Sequence, residues 1–323
     1  MYRVLLTCPP MIRSLDKLEY DKSVLQFIVP QFTQTLEEDQ LKALVPTCDA
    51  WVIGDDPATR AVFESGRASL KAVVKWGAGV DNVDQGALRD MGIPFTNTPA
   101  LFGESVSDVA LGMLLMLTRR LGAISAGVRQ QKWPKPCGTD LRGKTVCIVG
   151  LGTIGRALCR KLKAFGCVIR AVDPAFRAHG TSAISADGEH TVADVNVGTL
   201  EDNLTGAHVL ILTCNLNKQT QGLIDACALS RLEQGAYVVN VSRGPVIVEG
   251  DLVNAMHTGQ VWAAGLDVYE TEPLANDSPL RAFDEERLVF GTHNASNSAE
   301  SVVSASKQAT EFLLHHAARA RRR

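Results

Sequence analysis

"VCIVGLGTIGRALCRKLKAFGCVIRAVDP", Val146 to Pro174, is an apolar run, a glycine-rich turn, an amphipathic stretch and a second apolar run that ends in an acid. The period changes from strand to helix and back to strand, which is the pattern of a βαβ unit. Gly150, Gly152 and Gly155 stand at the G-x-G-x-x-G spacing between the first strand and the helix. The first permits a tight turn, the second lets backbone N–H groups approach a pyrophosphate, and the third lets the helix pack close to the strand, with the anion on the helix's positive end. The inward positions of that helix read as Ile154, Leu158, Leu162 and Phe165. Asp173 closes the second strand, where a carboxylate can accept hydrogen bonds from the ribose hydroxyls of an adenosine. A 2′-phosphate would meet a like charge there, so the pattern favours NAD over NADP, with Arg170 and Arg177 near enough in sequence to soften the preference.

The alternation continues on both sides of this unit. Toward the N-terminus, strands are expected at Arg3–Thr7, Ala50–Ile53 and Leu70–Trp76, between helices at Leu36–Leu44, Pro57–Ser65 and Asp84–Met91. A single long helix is expected over Ser105–Gln131. Toward the C-terminus, strands follow at Val146–Val149, Val168–Val172, Val209–Leu212, Ala236–Val241, Ala263–Val268 and Leu288–Phe290, with 180–198 as a polar excursion. A last helix starts at Ala299 and runs to about His316, with Val302, Val303, Phe312 and Leu313 as its apolar positions, before a solvated basic tail, Arg319–Arg323.

The bulk composition narrows the function classes. A chain of 323 residues that is 46% hydrophobic can bury two ordinary cores. Its net charge of −2, with 33 Lys and Arg against 35 Asp and Glu, offers no field for nucleic acid or an anionic membrane, so a small ligand fits better. The eight cysteines are scattered without C-x-x-C pairs or Cys/His ligand spacing, which reads as reduced thiols, no metal and a cytoplasmic location. The N-terminal MYRVLLTCPPM is too briefly apolar for an export signal, and Val106–Leu117 is too short to span a bilayer.

Three strand ends carry the chemistry. Arg243 follows Ala236–Val241, and its planar guanidinium can grip a carboxylate or a carbonyl at the sheet edge where open α/β sheets collect ligands. Asp267, Glu270 and Glu272 follow the next strand, and His293 follows the last. A hydride leaving a hydroxyl-bearing carbon requires removal of the hydroxyl proton in the same event, so a neutral-range base beside a fixed cation is the expected set. A lone histidine is more often structural, and His179, His190, His208 and His257 are read that way.

The series "KWGAGVDNVD", "GLGTIG", "NVSRGPVIVE", "GLDVYETEP" and the final histidine, in that order, resembles the NAD-dependent D-isomer-specific 2-hydroxyacid dehydrogenase family, which includes phosphoglycerate dehydrogenase and the glyoxylate/hydroxypyruvate reductases. The resemblance implies an α/β fold of two Rossmann-like βαβ domains. A doubly wound NAD-binding domain, 101–294, is inserted into a flavodoxin-like substrate-binding domain, 1–100 plus 295–323. It implies catalysis by Arg243, Glu272 and His293, with Glu272 preferred over Glu270 because it precedes Pro273. Cofactor contacts fall to Gly150, Gly152, Thr153, Ile154, Gly155, Asp173, Thr213 and Asp267, the last toward the nicotinamide carboxamide. Substrate contacts fall to Lys75, Trp76, Gly77, Ala78, Gly79 and Arg243, with the amides of Gly77, Ala78 and Gly79 cradling a carboxylate.

The resemblance has gaps. Asn294 and the lack of a proline before His293 change the frame of the last motif, Thr213–Asn217 departs from the usual H-[LV]-P-L-T, and Phe102 replaces a common Asn. No further C-terminal regulatory domain is expected. The apolar Ser105–Leu117 implies a homodimer, and the expected substrate is a small D-2-hydroxy or 2-keto acid. The competing reading is an NAD(H)-sensing corepressor of the same fold.

Overall fold

A computed structural model describes residues 1–32 and 34–320, so part of the expected basic tail lies outside the described residues. The chain divides into two compact units, Met1–Phe102 with Ser296–Arg323, and Gly103–Ala295.

The first unit is built on five parallel strands: β1 (Tyr2–Leu6), β2 (Leu25–Ile28), β3 (Ala50–Ile53), β4 (Ala72–Lys75) and β5 (Phe95–Asn97), in the order β2-β1-β3-β4-β5. All four residues of β3 and of β4 are buried, because a parallel sheet covered by helices on both faces has no solvent side to alternate toward. Trp51, Phe63, Leu41 and Leu88 fill one side of this sheet. Asp84 accepts the Ala87 amide at 2.8 Å to start the helix Gln85–Met91, and Gly92 ends it in the left-handed region at φ 67.

Two expectations are corrected in this unit. Strand β2 was not anticipated; it is only four residues long and pairs with β1 alone, at the sheet edge. The final helix runs Ala299–Ala320, and its buried stripe is Ser301, Ala305, Ser306, Ala309, Thr310, Leu313 and Ala317. Small residues on that stripe let the helix lie close to its neighbours, while Val303 is 59% exposed and Val302 and Phe312 are only half-buried.

The second unit contains β6 (Thr145–Val149), β7 (Val168–Val172), β8 (Phe176–His179), β9 (Ser182–Ser185), β10 (Thr191–Val192), β11 (Val195–Val197), β12 (Val209–Leu212), β13 (Ala236–Asn240), β14 (Val261–Leu266) and β15 (Leu288–Phe290). Seven of these form a parallel sheet in the order β11-β7-β6-β12-β13-β14-β15, with the crossover direction reversing between β6 and β12. That reversal is the switch point of a doubly wound fold.

Four expectations change here. The polar excursion is ordered: β8, β9 and β10 form a small antiparallel sheet turned at Gly180 and Gly188, both at positive φ, and β11 joins the main sheet as its edge. The expected helix Ser105–Gln131 is two helices, Gly103–Thr118 and Leu121–Arg129, bent by 67°. The helical partner of the Thr118 carbonyl is replaced by the Thr139 amide at 2.7 Å, and Arg120 turns the chain at φ 53. The glycine-loop helix, Thr153–Ala164, buries Gly155, Leu158, Cys159 and Leu162, whereas Ile154 is half-buried and Phe165 sits past the helix end, 39% exposed. Strand β14 starts and ends two residues earlier than expected, which places Asp267 just beyond it. Among the described residues no single helix is long and apolar enough to cross a membrane, although the bent pair passes by length and composition.

Candidate active site

Arg243, Glu272 and His293 all lie in the second unit, after three neighbouring parallel strands whose last residues, Asn240, Leu266 and Phe290, are paired in register. Beyond β13 the side chain of Asn240 clamps the turn: its oxygen accepts the Ser242 amide and its nitrogen donates to the Arg243 carbonyl, each at 3.0 Å. The half-buried Arg243 guanidinium donates to the Ser242 carbonyl at 2.8 Å. Any Cβ on Gly244 would fall within the backbone of Tyr269 and Glu270, so glycine is what lets this turn lie against the end of β14.

The buried Tyr269 joins the ends of β14 and β15, its hydroxyl meeting the carbonyls of Leu266 at 2.9 Å and Gly291 at 2.8 Å. Its amide donates to one Glu272 oxygen at 3.0 Å, and the other Glu272 oxygen meets His293 Nδ1 at 2.7 Å. Each side chain of that pair keeps 24% of its surface exposed. Glu272 is thus the acid that meets the histidine. Glu270 instead accepts the Glu249 amide at 2.9 Å, at the start of the helix Glu249–Thr258.

Asp267, 2% exposed, shapes the turn that presents His293. Its carbonyl accepts the His293 amide at 2.6 Å, and its carboxylate accepts the amides of Asn294 at 3.1 Å and Ala295 at 2.9 Å. Burial pushes its pKa up, against the two amides and the nearby imidazole. His293 itself has φ 54, a conformation costly for a residue with a Cβ and held here by these bonds.

On the same sheet edge, Gly150 has φ 104 and packs against the Cys214 backbone, and a Cβ on Gly155 would overlap the Gly150 carbonyl oxygen. The Thr213 hydroxyl donates to the carbonyls of Gly150 at 2.8 Å and Val149 at 3.1 Å. Carbonyls are consumed inward while a Cβ at Gly152 would meet nothing within 4 Å, so backbone amides at the start of Thr153–Ala164 have open space before them and no acid in the first turn. The Asp173 carboxylate accepts the amides of Leu151 at 2.7 Å and Ala175 at 2.8 Å, which holds it beside the loop. This donor set fits a dinucleotide pyrophosphate and ribose. In the departing segment, the Ser242 hydroxyl donates to the Cys214 carbonyl, and Asn217 accepts the amides of Gln219 and Thr220.

In the loop after β4, in the first unit, three of the expected substrate-binding residues also bond within the protein. Lys75 is 3% exposed and its ammonium donates to the carbonyls of Gly54 at 2.6 Å and Trp76 at 3.3 Å and to Asp55 at 3.2 Å. The Trp76 indole, also buried, donates to the Ser306 hydroxyl at 3.3 Å. The Gly77 amide donates to the Thr98 hydroxyl at 2.8 Å. Thr98, Asn240 and Tyr269 were missed from the sequence, and only their places at strand ends, in "NTP", "VNVSR" and "LDVYE", could have flagged them.

Residues 111–295 match the model of the D-isomer specific 2-hydroxyacid dehydrogenase, NAD binding domain. The chain is similar to the D-3-phosphoglycerate dehydrogenase of Mycobacterium bovis, with 33% identity over 82% of this chain and 48% of that protein. It therefore spans about half the length of the curated relatives of that name. It is also similar to a glyoxylate/hydroxypyruvate reductase A of Arabidopsis thaliana, with 31% identity over 92% of this chain and 90% of that one. Among solved structures, the apo D-lactate dehydrogenase of Escherichia coli superposes with a TM-score of 0.80 at 26% identity, over 97% of this chain and 96% of that one.

Proposed function

Since this chain belongs to the D-isomer-specific 2-hydroxyacid dehydrogenase family, we propose that it interconverts a small D-2-hydroxy acid and its 2-keto acid with NAD as the hydride carrier. The observation that carries this reading is the 2.7 Å bond between His293 Nδ1 and Glu272, on the strand end next to that of Arg243.

With Nδ1–H donated to Glu272, the other imidazole nitrogen holds a lone pair and serves as the base. In oxidation it takes the proton of the substrate hydroxyl while C2 gives up its hydrogen with the electron pair, and in reduction it returns that proton to the oxygen. The Arg243 guanidinium binds the substrate carboxylate and the oxygen on C2, whose charge grows as the proton leaves. The amides of Ala78 and Gly79 hold the carboxylate, with Lys75, Trp76 and Gly77 ordering the loop that presents them. Bound NAD supplies the hydride acceptor; Gly150, Gly152, Thr153, Ile154 and Gly155 would lie along its pyrophosphate, Asp173 at its ribose, Thr213 beneath it and Asp267 toward its carboxamide. The relatives reported carry enzyme names, and no finding favours the nucleotide-sensing alternative.

The homodimer belongs to the same reading. Leu121 and Val128, 48% and 47% exposed, lie on the helix Leu121–Arg129, and Trp133 just beyond it is 78% exposed, an apolar group suited to a second copy and decided by the mass in solution.

The test is NADH oxidation with glyoxylate, hydroxypyruvate, pyruvate, 2-oxoglutarate and 3-phosphohydroxypyruvate in turn. At least one is turned over, and His293→Ala lowers kcat on that substrate by about 10² to 10⁴ while NADH binding is kept. Silence with every keto acid despite NADH binding, or near-normal turnover by the variant, refutes the assignment.

A further inference from the structure

The first unit carries a cavity that the proposed reaction does not use. It has a volume of about 580 Å³, within the range of small-molecule sites, and lies between the segment Pro10–Glu19 and the start of the helix Ala299–Ala320. Its walls are aliphatic: Pro10 and Leu18 on one side, Ala299, Val302 and Val303 on the other. Val303 is the large apolar residue of its helix that stays most exposed, at 59%, and it lines the cavity together with Lys17 and Lys307.

The charged groups at this cavity are of one prevailing sign. Arg13, Lys17 and Lys307 line it, against the single carboxylate of Glu19, and Glu311 approaches Lys307 only at 4.0 Å from the exposed side of the helix. Aliphatic stems of lysine and arginine lie readily along apolar surface while their cationic heads stay wet, so the site joins an oily wall to a cationic rim. A purely apolar occupant would leave the rim without a partner, and a compact inorganic anion would leave the wall in water.

We propose that this cavity binds an aliphatic carboxylate of medium chain length, with its chain on Leu18, Val302 and Val303 and its head group among Arg13, Lys17 and Lys307. The inference stands apart from the dehydrogenase reading, because every residue it invokes lies in the first unit and none is among the groups assigned to the reaction. Ser306, which also lines the cavity, accepts the Trp76 indole N–H.

Calorimetric titration of the full chain without NAD or keto acid, using butanoate, hexanoate, octanoate and octan-1-ol, tests this directly. Octanoate binds with one site per chain, and affinity rises by up to about fourfold for each added methylene while the wall is being covered. Octan-1-ol binds at least tenfold more weakly, and the double variant Lys17→Glu, Lys307→Glu loses at least tenfold in octanoate affinity. Both lysines are exposed, so that variant is expected to keep its fold, which its circular dichroism and NADH binding check. Equal affinity for octanoate and octan-1-ol, no dependence on chain length, or an unchanged affinity in the double variant overturns the proposal. So does dissociation of an oligomer by Val303→Asp in sedimentation velocity, since that outcome makes the cavity a contact between copies of this chain.

Discussion

Two glycine-bearing loops follow strands of the two sheets, and they are fastened with opposite polarity. In the loop after β6, the Thr213 hydroxyl donates to the Gly150 carbonyl, so an acceptor is consumed and the loop's amides remain for an anion. In the loop after β4, the Thr98 hydroxyl accepts the Gly77 amide, so one of the donors is spent on the protein itself. The first loop is shaped by backbone packing, with no room for a Cβ at Gly155. The second is shaped by a buried ammonium, since Lys75 Nζ lies 3.5 Å from where a Cβ on Gly77 would sit. A loop that binds a pyrophosphate needs several free amides in a fixed curve, whereas a loop that binds one carboxylate can give up a donor for rigidity.

The largest effect expected from this contrast is at Gly155. Gly155→Ala puts a methyl group into the Gly150 carbonyl, and neither backbone can yield without opening the turn. Loss of at least a hundredfold in NADH affinity, or of about 3 kcal/mol in stability of the second unit, is the expected result by titration and denaturant unfolding. The counterpart Gly77→Ala meets no clash, only the strain of φ 134, and costs about 1 to 3 kcal/mol without touching NADH affinity. An equal response at both positions would erase the distinction between packed and strained glycine.

A smaller pair of substitutions tests the polarity itself. Thr213→Val removes a donor from the Gly150 carbonyl, and Thr98→Val removes the acceptor of the Gly77 amide; each costs about 1 kcal/mol. They differ in what they disturb. Thr213→Val weakens NADH binding and leaves the KM for the keto acid, while Thr98→Val raises that KM and leaves NADH binding. A uniform loss of both in either variant shows that the threonine only supports its unit's fold.

Much of this was legible before any coordinates, and the reasons are local. Gly150, Gly155 and Asp173 stand at fixed offsets within one βαβ unit, so the motif carries its own context. Arg243, Glu272 and His293 could be placed at successive strand ends because parallel buried strands read as continuous apolar runs. Their support was not legible, because the Tyr269 hydroxyl and the Asp267 carboxylate act on backbone groups brought near by the sheet register, while the Asn240 side chain acts on the turn just past its own strand, which only coordinates show folding back on it. The break between Thr118 and Leu121 was hidden for the same reason: the Thr139 amide that takes the Thr118 carbonyl comes from a segment far along the chain. The stripe of the final helix misled because alanine and serine, the residues that permit close packing, carry little hydrophobic signal.

The buried charges near the loop after β4 add a dependence on pH that the packed loop lacks. Asp56 is fully buried, accepting the Thr7 hydroxyl and the Leu36 amide, while its own carbonyl takes Asn82 Nδ2 at 2.8 Å. Burial raises its pKa, and the two hydrogen bonds to the carboxylate offset this only in part. A carboxyl whose pKa is higher folded than unfolded binds its proton more tightly in the folded chain, so that contribution is complete below the ordinary value of about 4. It is lost as pH rises through the raised folded value. Asp56→Asn keeps a neutral group of the same shape at every pH and removes this dependence. Hydrogen exchange of the segment 50–82, compared between the two proteins at matched pH, should show wild-type protection falling from pH 4 to 7 relative to Asp56→Asn. Exchange around Gly150 should not distinguish them, and a parallel change there would mean that Asp56 titration acts on the whole molecule rather than on the loop its neighbours hold.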